Sequence, residues 1–292
     1  MNSMLRRIAW ASTLVVTAML LHRSNAAAPG TGSSFKGPIG LQLYSLRADF
    51  IKNVPATLDK VKAAGITEVE LAGTYNLSPE VFLGMLKERN LKAISGHFSY
   101  DRYRDDAEGV AKDAKALGLK FAGVAWIPHK DGFDEAECRD AIKVFNHAGE
   151  VLAKQGIKFF YHVHGYEFVK FGDGDLFDLL VRETKPEFVS YQMDVFWVVF
   201  PGKDPVALLQ KYGSRWELMH VKDMKKGLET GSLAGGTDVK NDVALGTGQM
   251  NWPAILSQAK KTGIKHYFIE DESPDAEAHI PVSLKYLETV SW

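Results

Sequence analysis

Residues 157–168 read IKFFYHVHGYEF, a strand-like run followed at once by ionisable side chains. The first half, 157–161, is apolar, aromatic and of strand length, and His162, His164 and Glu167 come directly after it. In parallel α/β folds, ligands bind beyond the carboxyl ends of the strands, because the buried sheet fixes side chains there and leaves one face open. The stretch therefore predicts a buried strand that ends in a functional site. The alternative is a pair of core histidines bonded to backbone carbonyls.

Seven further apolar runs occur along the chain, and helical patterns follow them. The predicted strands cover 39–44, 68–72, 91–96, 120–125, 157–161, 188–193, 216–220 and 266–269. The predicted helices include 56–64, 80–88, 107–117, 136–154, 176–183, 206–212, 253–262 and 282–289. Strands that alternate with helices pair in parallel. Eight such units predict an α/β fold, a closed (β/α)₈ TIM barrel, with an open doubly wound sheet as the alternative.

Glycines mark the predicted ends of several helices. Gly65, Gly118, Gly156 and Gly263 each stand directly before a β-rich run, where a helix commonly ends in the left-handed conformation. Asn90 is placed to do the same. No shift in composition marks a second domain, so we expect one barrel domain over residues 38–292. The polar, glycine-rich stretch 227–248 is expected to be a long loop within it.

The first 26 residues have the three parts of a secretory signal: two arginines, a short apolar run and small residues before position 26. We therefore expect an exported protein, periplasmic or secreted, without a stable membrane anchor. The Arg6-Arg7 pair leaves the export route open, because Ala9 stands where a twin-arginine signal prefers a large apolar residue. Residues 27–37, rich in Gly, Ser and Ala, are expected to be a flexible segment.

Charge and cysteine content narrow the possible functions. The full chain has a formal net charge of −1, and residues 1–26 carry arginines but no acidic residue, so the remainder is mildly acidic. Such a surface offers no broad basic area for nucleic acid. Cys138 is the only cysteine, so an internal disulfide is impossible and stability must come from the core. Nothing in the sequence indicates an oligomeric state.

Ionisable or hydrogen-bonding residues stand at the ends of nearly all predicted strands, on the face where barrel enzymes keep their chemistry. They are Gln42, Tyr44, Glu70, His97, Trp126, His129, His162, His164, Asp194, His220, Lys222, Asp223, Glu270, Asp271 and Glu272. Histidines together with Asp194 and Glu270 predict a mixed nitrogen and oxygen site for one divalent metal ion, Mn²⁺, Co²⁺, Zn²⁺ or Mg²⁺. The alternative for either carboxylate is a buried ion pair with Lys or Arg.

Six stretches of the chain resemble the xylose isomerase-like barrels, in particular the sugar phosphate isomerase/epimerase group. They are GLQLYSLR (40–47), TEVELAG (67–73), YHVHGYEF (161–168), QMDVFWVVFPGKDP (192–205), MHVKDM (219–224) and ALGTGQMNWPAIL (244–256). The resemblance runs from residue 38 to the end of the chain. It implies an enzyme of a group that contains isomerases, epimerases, dehydratases, keto-sugar lyases and apurinic endonucleases.

The resemblance also implies a metal-ligand set. The family usually holds one divalent ion with a fifth-strand Glu, a sixth-strand Asp, a seventh-strand His and an eighth-strand Glu, and Asp194, His220 and Glu270 match the last three positions. His162 stands at the first, so either His162 is itself a ligand or Glu167 reaches back from the loop. Trp197 stands where multi-zinc endonucleases carry another histidine. This departure, together with the acidic balance, argues against nucleic acid as a partner.

Such a site suits removal of a proton from a carbon next to a carbonyl. The catalytic candidates are Glu270 as ligand and base, His164 and Lys222 as proton donors or oxyanion partners, and Glu167. Lys222 has an alternative role as the ion-pair partner of Asp223 or Glu272. The residues expected to bind substrate are Gln42, Glu70, His97, Trp126 and Trp197, of which the two tryptophans would stack on a sugar face or serve only in packing.

We expect a small carbohydrate as substrate. Export makes phosphorylated intermediates unsuitable, so the favoured reaction is isomerisation or epimerisation of an unphosphorylated keto-sugar or sugar derivative. Family epimerases exchange protons with two carboxylates on opposite faces of the substrate, and His162 removes that symmetry. The alternative is therefore a one-base lyase or dehydratase that cleaves or hydrates a 3-keto-glycoside or dehydrates a keto-inositol. A second alternative is a catalytically silent sugar-binding barrel.

Overall fold

The computed structural model describes residues 28–292, in which eight parallel strands close into a barrel in the order of the chain. The strands are β1 (Ile39–Gln42), β2 (Glu68–Leu71), β3 (Lys92–His97), β4 (Phe121–Val124), β5 (Lys158–His162), β6 (Val189–Asp194), β7 (Trp216–Val221) and β8 (His266–Ile269). β1 pairs with both β2 and β8, which closes the ring. The predicted TIM barrel is confirmed, and the open sheet is excluded because this sheet has no free edge.

Helices surround the strands. They are α1 (Arg47–Lys52), α2 (Val54–Ala63), α3 (Pro79–Glu88), α4 (Tyr100–Asp105), α5 (Ala107–Ala116), α6 (Glu135–Ala153), α7 (Leu176–Glu183), α8 (Val195–Val199), α9 (Pro205–Tyr212), α10 (Trp252–Thr262) and α11 (Ala276–Thr289). The sequence did not predict the short helices α1, α4 and α8, which lie in the connections. It also started the last helix after Pro281, which instead lies inside α11, although proline usually occupies a first turn. None of the helices in residues 28–292 is long and apolar enough to cross a lipid bilayer.

The helix ends follow the glycine pattern. Gly65, Gly118, Gly156 and Gly263 have φ values of 73–90°, and Asn90 has a φ of 57°. These residues end their helices in the left-handed region, which glycine adopts without steric cost and asparagine tolerates. The predicted helix-to-strand junctions are therefore confirmed.

A layer of large apolar side chains fills the barrel interior, and two glycines make room for it. The layer consists of Ile94, Phe121, Phe160, Leu218 and Phe268. A Cβ at Gly40 would lie 2.8 Å from the Phe268 ring, and one at Gly123 would lie 2.7 Å from the Phe160 ring. Small residues on neighbouring strands thus allow aromatic rings to close the interior below the carboxyl ends of the strands.

Residues 28–37 pack against the amino-terminal face of the barrel. Phe35 is buried, with its ring edge-on to Tyr267 at 5.1 Å, and the Gly30 amide donates to the Glu288 carboxylate at 3.3 Å. This part of the segment predicted to be flexible is thus anchored, because an aromatic side chain among small residues suffices to fix it. The predicted signal segment, 1–26, lies outside the described residues.

Candidate metal centre and active site

The strand pleat places the site directly above the apolar interior layer. Side chains two residues apart on a strand point to the same face, so three of the interior residues are followed two positions later by an inward-facing ionisable one. The pairs are Phe160 with His162, Leu218 with His220, and Phe268 with Glu270. Asp194, the last residue of β6, completes the group. The apolar layer therefore forms the floor on which the ionisable cluster rests.

His162, Asp194, His220 and Glu270 form the four-residue cluster. One ligand atom from each lies within 4.8 Å of the others. Nδ1 of His220 lies 2.9 Å from Oε2 of Glu270 and 3.5 Å from Oδ2 of Asp194, and Nε2 of His162 lies 3.9 Å from the same Asp194 oxygen. The structure thus brings together the four residues that the sequence predicted as metal ligands.

Asp194 shows why this cluster suits a cation. Its Oδ1 accepts the Trp197 amide at 3.0 Å and caps α8, whereas its Oδ2 is buried and has no hydrogen-bond partner in the described part of the chain. Burial raises the pKa of the Asp194 carboxyl. A buried carboxylate oxygen without a partner is costly unless a positive charge satisfies it. Together with that oxygen, the imidazoles of His162 and His220 and the Glu270 carboxylate fit a divalent metal ion.

The carboxylates around His220 also favour a bound cation. Burial opposes a charge on the imidazole, but Glu270 and Glu70 hold the pKa of His220 well above its usual range. The same carboxylates that favour a proton on this ring favour a divalent cation beside it, since both are positive charges.

Glu70 lies beneath the cluster, where it accepts hydrogen bonds from several sides. Its oxygens accept from Gln42 at 2.7 Å, His220 Nε2 at 2.5 Å, Ser95 at 2.5 Å and Gln192 at 2.8 Å. Burial disfavours its charge, but His97 and His220 keep the pKa of Glu70 well below its usual range.

These bonds alter two sequence predictions. Gln42 and Glu70 were expected to hold substrate hydroxyls, but both are fully buried and their polar atoms are already bonded. Instead, Glu70 accepts a hydrogen bond from Nε2 of His220, so that Nδ1 of His220 faces the cluster. A carboxylate behind a metal-binding histidine fixes its tautomer and orientation.

Gln192 is a site residue that sequence reasoning missed. Its amide nitrogen donates to Glu70, so its oxygen faces Nδ1 of His162 at 3.0 Å and His97 at 3.3 Å. Because a carbonyl oxygen only accepts, His162 carries its proton on Nδ1 and presents Nε2 to Asp194. The signal was present in the sequence, since Gln192 precedes Asp194 by two positions and shares its face.

Glu167 does not reach the cluster. Its carboxylate accepts from the amides of His164 at 2.9 Å and Gly165 at 2.7 Å and from the Tyr161 hydroxyl, and the side chain is fully buried. Burial raises the pKa of Glu167 to about 7. Of the two ligands left open by the sequence, the geometry therefore selects His162, and Glu167 stabilises the turn after β5.

A cavity of about 430 Å³ lies above the cluster. Its lining includes the predicted residues His97, Trp126, His162, His164, Trp197 and Glu270, together with Tyr44, Ala72, Ala125, Gly235, Gly236, Thr237, Val239, Asp242 and Glu272. Nδ1 of His164 has no hydrogen-bond partner among the described residues, and burial together with Lys222 lowers the pKa of His164 to about 3. His164 is therefore a neutral imidazole on the cavity wall.

Lys222 lies beside this cavity among acidic side chains. Its Nζ lies 2.5 Å from Glu272, 3.5 Å from Asp242 and 3.6 Å from Glu270. Burial opposes its charge, but these carboxylates hold the pKa of Lys222 well above its usual range. Asp223, the other predicted partner, instead accepts from amides of the following loop.

A closed parallel barrel with an Asp, Glu and His cluster at its carboxyl-terminal face defines a class of metal-suited TIM-barrel proteins. Residues 58–290 match the sequence profile of the xylose isomerase-like TIM barrels, and the chain belongs to that family. The resemblance predicted from the motifs is confirmed.

Relatives within this family carry different activities in their names. The chain is 25% identical over 193 residues to inosose dehydratase 2 of Bacillus cereus, a match that covers 58% of this chain and 63% of that protein, which is less than two thirds of its length. A sugar phosphate isomerase/epimerase from Parabacteroides distasonis is 29% identical, with a TM-score of 0.71 over 86% of this chain and 98% of that one. The IolI protein with bound zinc shares the fold at 15% identity, with a TM-score of 0.66 over 85% and 95%. The family thus includes isomerases or epimerases and dehydratases.

Proposed function

We propose that the protein is a divalent-metal-dependent lyase that acts on an unphosphorylated keto-sugar derivative. The observation that carries this proposal is the asymmetry of the cavity. Among the described residues, the carboxylates that line it are Glu270 and Glu272, which follow β8, and Asp242 of the loop 227–248, which accepts the Glu272 amide at 2.8 Å. By contrast, β5 and the turn after it contribute His162 and His164. An exchange of protons between two equivalent acids on opposite faces has no counterpart in this arrangement. Elimination needs one base only.

His162, Asp194, His220 and Glu270 would hold the metal ion. When bound, such an ion supplies Lewis-acid polarisation of a substrate carbonyl. Glu270, which lines the cavity beside the cluster, accepts the proton from the carbon next to that carbonyl, the role expected of it from the sequence. The same carboxyl then returns the proton to the departing oxygen, which the neutral His164 imidazole hydrogen-bonds, and Lys222 favours the charged form of Glu270.

The character of the cavity lining supports an unphosphorylated substrate. The lining within residues 28–292 contains no arginine or lysine. Lys222 lies beside the cavity, but acidic side chains already surround it. A phosphate would therefore meet the carboxylates of Asp242 and Glu272 without a compensating charge.

A sugar isomerase or epimerase is the second candidate, and the Parabacteroides distasonis protein supports it. The 29% identity to a protein of that name is accompanied by coverage of nearly its whole length. The same cluster and the same first step, removal of a proton next to a carbonyl, serve that reaction.

The experiment that separates these candidates is NMR in D₂O with metal-loaded protein and a panel of keto-sugars, keto-inositols and 3-keto-glycosides. Loss of water or of the aglycone supports the lyase, with solvent deuterium at the carbon next to the carbonyl appearing only in recovered substrate. Deuterium with an intact carbon skeleton and an inverted centre or migrated carbonyl overturns it in favour of the isomerase. Stoichiometric sugar binding without exchange identifies a silent binding barrel.

We also propose that the chain is exported, on the support of the signal pattern in residues 1–26. Expression of the full chain in a bacterial host, followed by mass spectrometry of cell fractions, tests this proposal. We expect a periplasmic product that starts at position 27, and a full-length product retained in the cytoplasm would contradict export.

A further inference from the structure

The mouth of the cavity differs in character from its interior. Tyr44, after β1, is 44% exposed and Trp126, after β4, is 42% exposed, whereas Trp197 and Glu270 deeper in the cavity are 5% and 8% exposed. Large apolar side chains exposed at the edge of a binding cavity commonly mark a contact surface. The cavity therefore has a charged inner end and an aromatic outer rim.

Both rim rings are supported from one side. The Arg47 guanidinium lies 4.5 Å from the Tyr44 ring centroid, and its Nη2 is fixed by the Glu272 carbonyl at 2.9 Å. Trp126 stacks on His129, with 4.8 Å between centroids and 26° between planes, and meets His164 edge-on at 5.1 Å. Each ring is thus fixed in orientation while much of its surface stays open to solvent.

A fixed aromatic ring with an open face suits another flat ring. The face of an aromatic ring is electron-rich, so it attracts the polarised C–H groups on the apolar face of a sugar or the edge of a second aromatic ring.

We propose that Tyr44 and Trp126 form an outer subsite that binds the ring of a leaving group, so that the substrate is a keto-glycoside and not a free monosaccharide. This inference rests on the proposed lyase function and adds the substrate class to it. The ring is either a second sugar or an aryl group, since both present the same stacking surface.

The reaction balances without a further reactant. A proton leaves the carbon between the carbonyl and the anomeric carbon, and a double bond forms between that carbon and the anomeric carbon. The bond from the anomeric carbon to the glycosidic oxygen breaks, and that oxygen takes the proton. The products are an unsaturated keto-sugar and the free alcohol that carried the ring.

The test compares kcat/KM of the metal-loaded protein for three 3-keto-glucosides that differ only in the leaving group: methyl, phenyl and glucosyl. We expect the phenyl and glucosyl compounds to exceed the methyl compound by about tenfold or more, which corresponds to about 1.4 kcal/mol. Tyr44→Ala should reduce that ratio by about tenfold, and Trp126→Phe should preserve more of it than Trp126→Ala. Trp292→Ala, an exposed tryptophan at the far end of the chain, is the control.

The outcomes separate the two proposals. Equal kcat/KM for all three compounds, with deuterium exchange intact, overturns the outer subsite and leaves the lyase in place. Absence of elimination products with every compound overturns the lyase. A larger effect of Tyr44→Ala on the phenyl than on the glucosyl compound identifies an aryl glycoside, and the reverse identifies a disaccharide, because the ratio of variant to wild type cancels the acidity of each leaving group. Tyr44 is exposed and its side chain lies outside the buried core, so Tyr44→Ala folds even where Trp126→Ala does not.

Discussion

Among single residues, Asp194 has two carboxylate oxygens with different roles. Oδ1 caps α8 through the Trp197 amide, and Oδ2 lies inside the cluster without a partner among the described residues. Asn at this position keeps an acceptor for the cap but removes the negative charge. We expect Asp194→Asn to lower Mn²⁺, Co²⁺ or Zn²⁺ affinity by about 100-fold or more, since a ligand counts for more than the outer groups behind it. Isothermal titration calorimetry measures the metal affinity of the wild-type and variant proteins.

Asp175→Asn is the matched control for that variant. Asp175 is also buried, and it caps α7 by accepting the Asp178 amide at 3.0 Å, but it lies outside the cluster. Unchanged metal affinity in Asp194→Asn would remove Asp194 from the proposed ligand set.

Substitution of Glu70 tests whether this residue orients His220 or binds substrate. We expect Glu70→Gln to lower metal affinity by about 10- to 100-fold, because His220 loses the carboxylate that fixes its Nδ1 toward the cluster. KM at saturating metal should stay near the wild-type value, since Glu70 does not line the cavity.

Glu68→Gln provides the control on the same strand. Glu68 pairs with His266 at 2.9 Å, a carboxylate–imidazole contact of the same kind away from the cluster. A higher KM with unchanged metal affinity in Glu70→Gln would restore the original prediction that this residue binds substrate.

At the scale of structural elements, Glu167 links the end of β5 to the turn that carries His164. Gln has only one side-chain oxygen, so in Glu167→Gln either the Gly165 amide or the His164 amide together with the Tyr161 hydroxyl loses its acceptor. We expect the free energy of unfolding to fall by about 1–3 kcal/mol, measured by urea denaturation. One metal ion per chain should still bind.

Glu187→Gln, an exposed carboxylate between α7 and β6, serves as the control and should change stability little. Loss of metal binding in Glu167→Gln without loss of stability would revive Glu167 as a ligand.

The long loop that the sequence placed at 227–248 forms part of the cavity wall. Its base is fixed, because the Gly231 amide donates to the Phe200 carbonyl at 2.7 Å and Asp223 accepts the amides of Gly246 and Gly248. Its middle contributes Gly235 and Gly236 to the cavity. We propose that this middle part closes over the ligand as a lid.

We expect amide hydrogen exchange over 232–240 to slow when a 3-keto-glycoside is bound, as followed by mass spectrometry. The short ribbon of Lys170–Phe171 and Gly174–Asp175 lies in another connection and should not respond. Equal exchange in the free and the bound protein would contradict a lid.

At the scale of the whole molecule, Cys138 reports on global opening. This cysteine is fully buried in α6, and burial raises the pKa of its thiol from 9.0 to about 12. The group is a neutral acid whose folded-state pKa is raised, so its contribution to stability is present below pH 9 and is lost as the pH rises toward 12.

We therefore expect Cys138 to react only slowly with a thiol reagent at about pH 8 in the native protein, and one thiol per chain to react after denaturation. Labelling should slow further when metal is added, because an ion that binds only the folded state stabilises it. Rapid labelling under native conditions would show that α6 opens locally.

The sequence by itself determined the architecture of this protein. The features that predict it are local: the spacing of apolar residues, the alternation of strands and helices along the chain, and glycine at the ends of helices. Each predicted strand and the helix after it occur in the structure. The ionisable residues at the ends of β5, β7 and β8 could also be predicted, because the pleat carries the inward face from an apolar residue to a polar one two positions later.

Only the folded chain shows which polar groups face the cavity and which are already hydrogen-bonded beneath it. Glu70 and Gln42 end their strands as Glu270 does, but bonds to Ser95 and Gln192, residues distant in sequence, hold the Glu70 carboxylate beneath the cluster. Glu167 shows the same limit, since its partners are the backbone of its own turn and the Tyr161 hydroxyl. A side chain's role depends on whether its polar atoms already have partners, and for Glu70 those partners come from strands that only the closed barrel brings together.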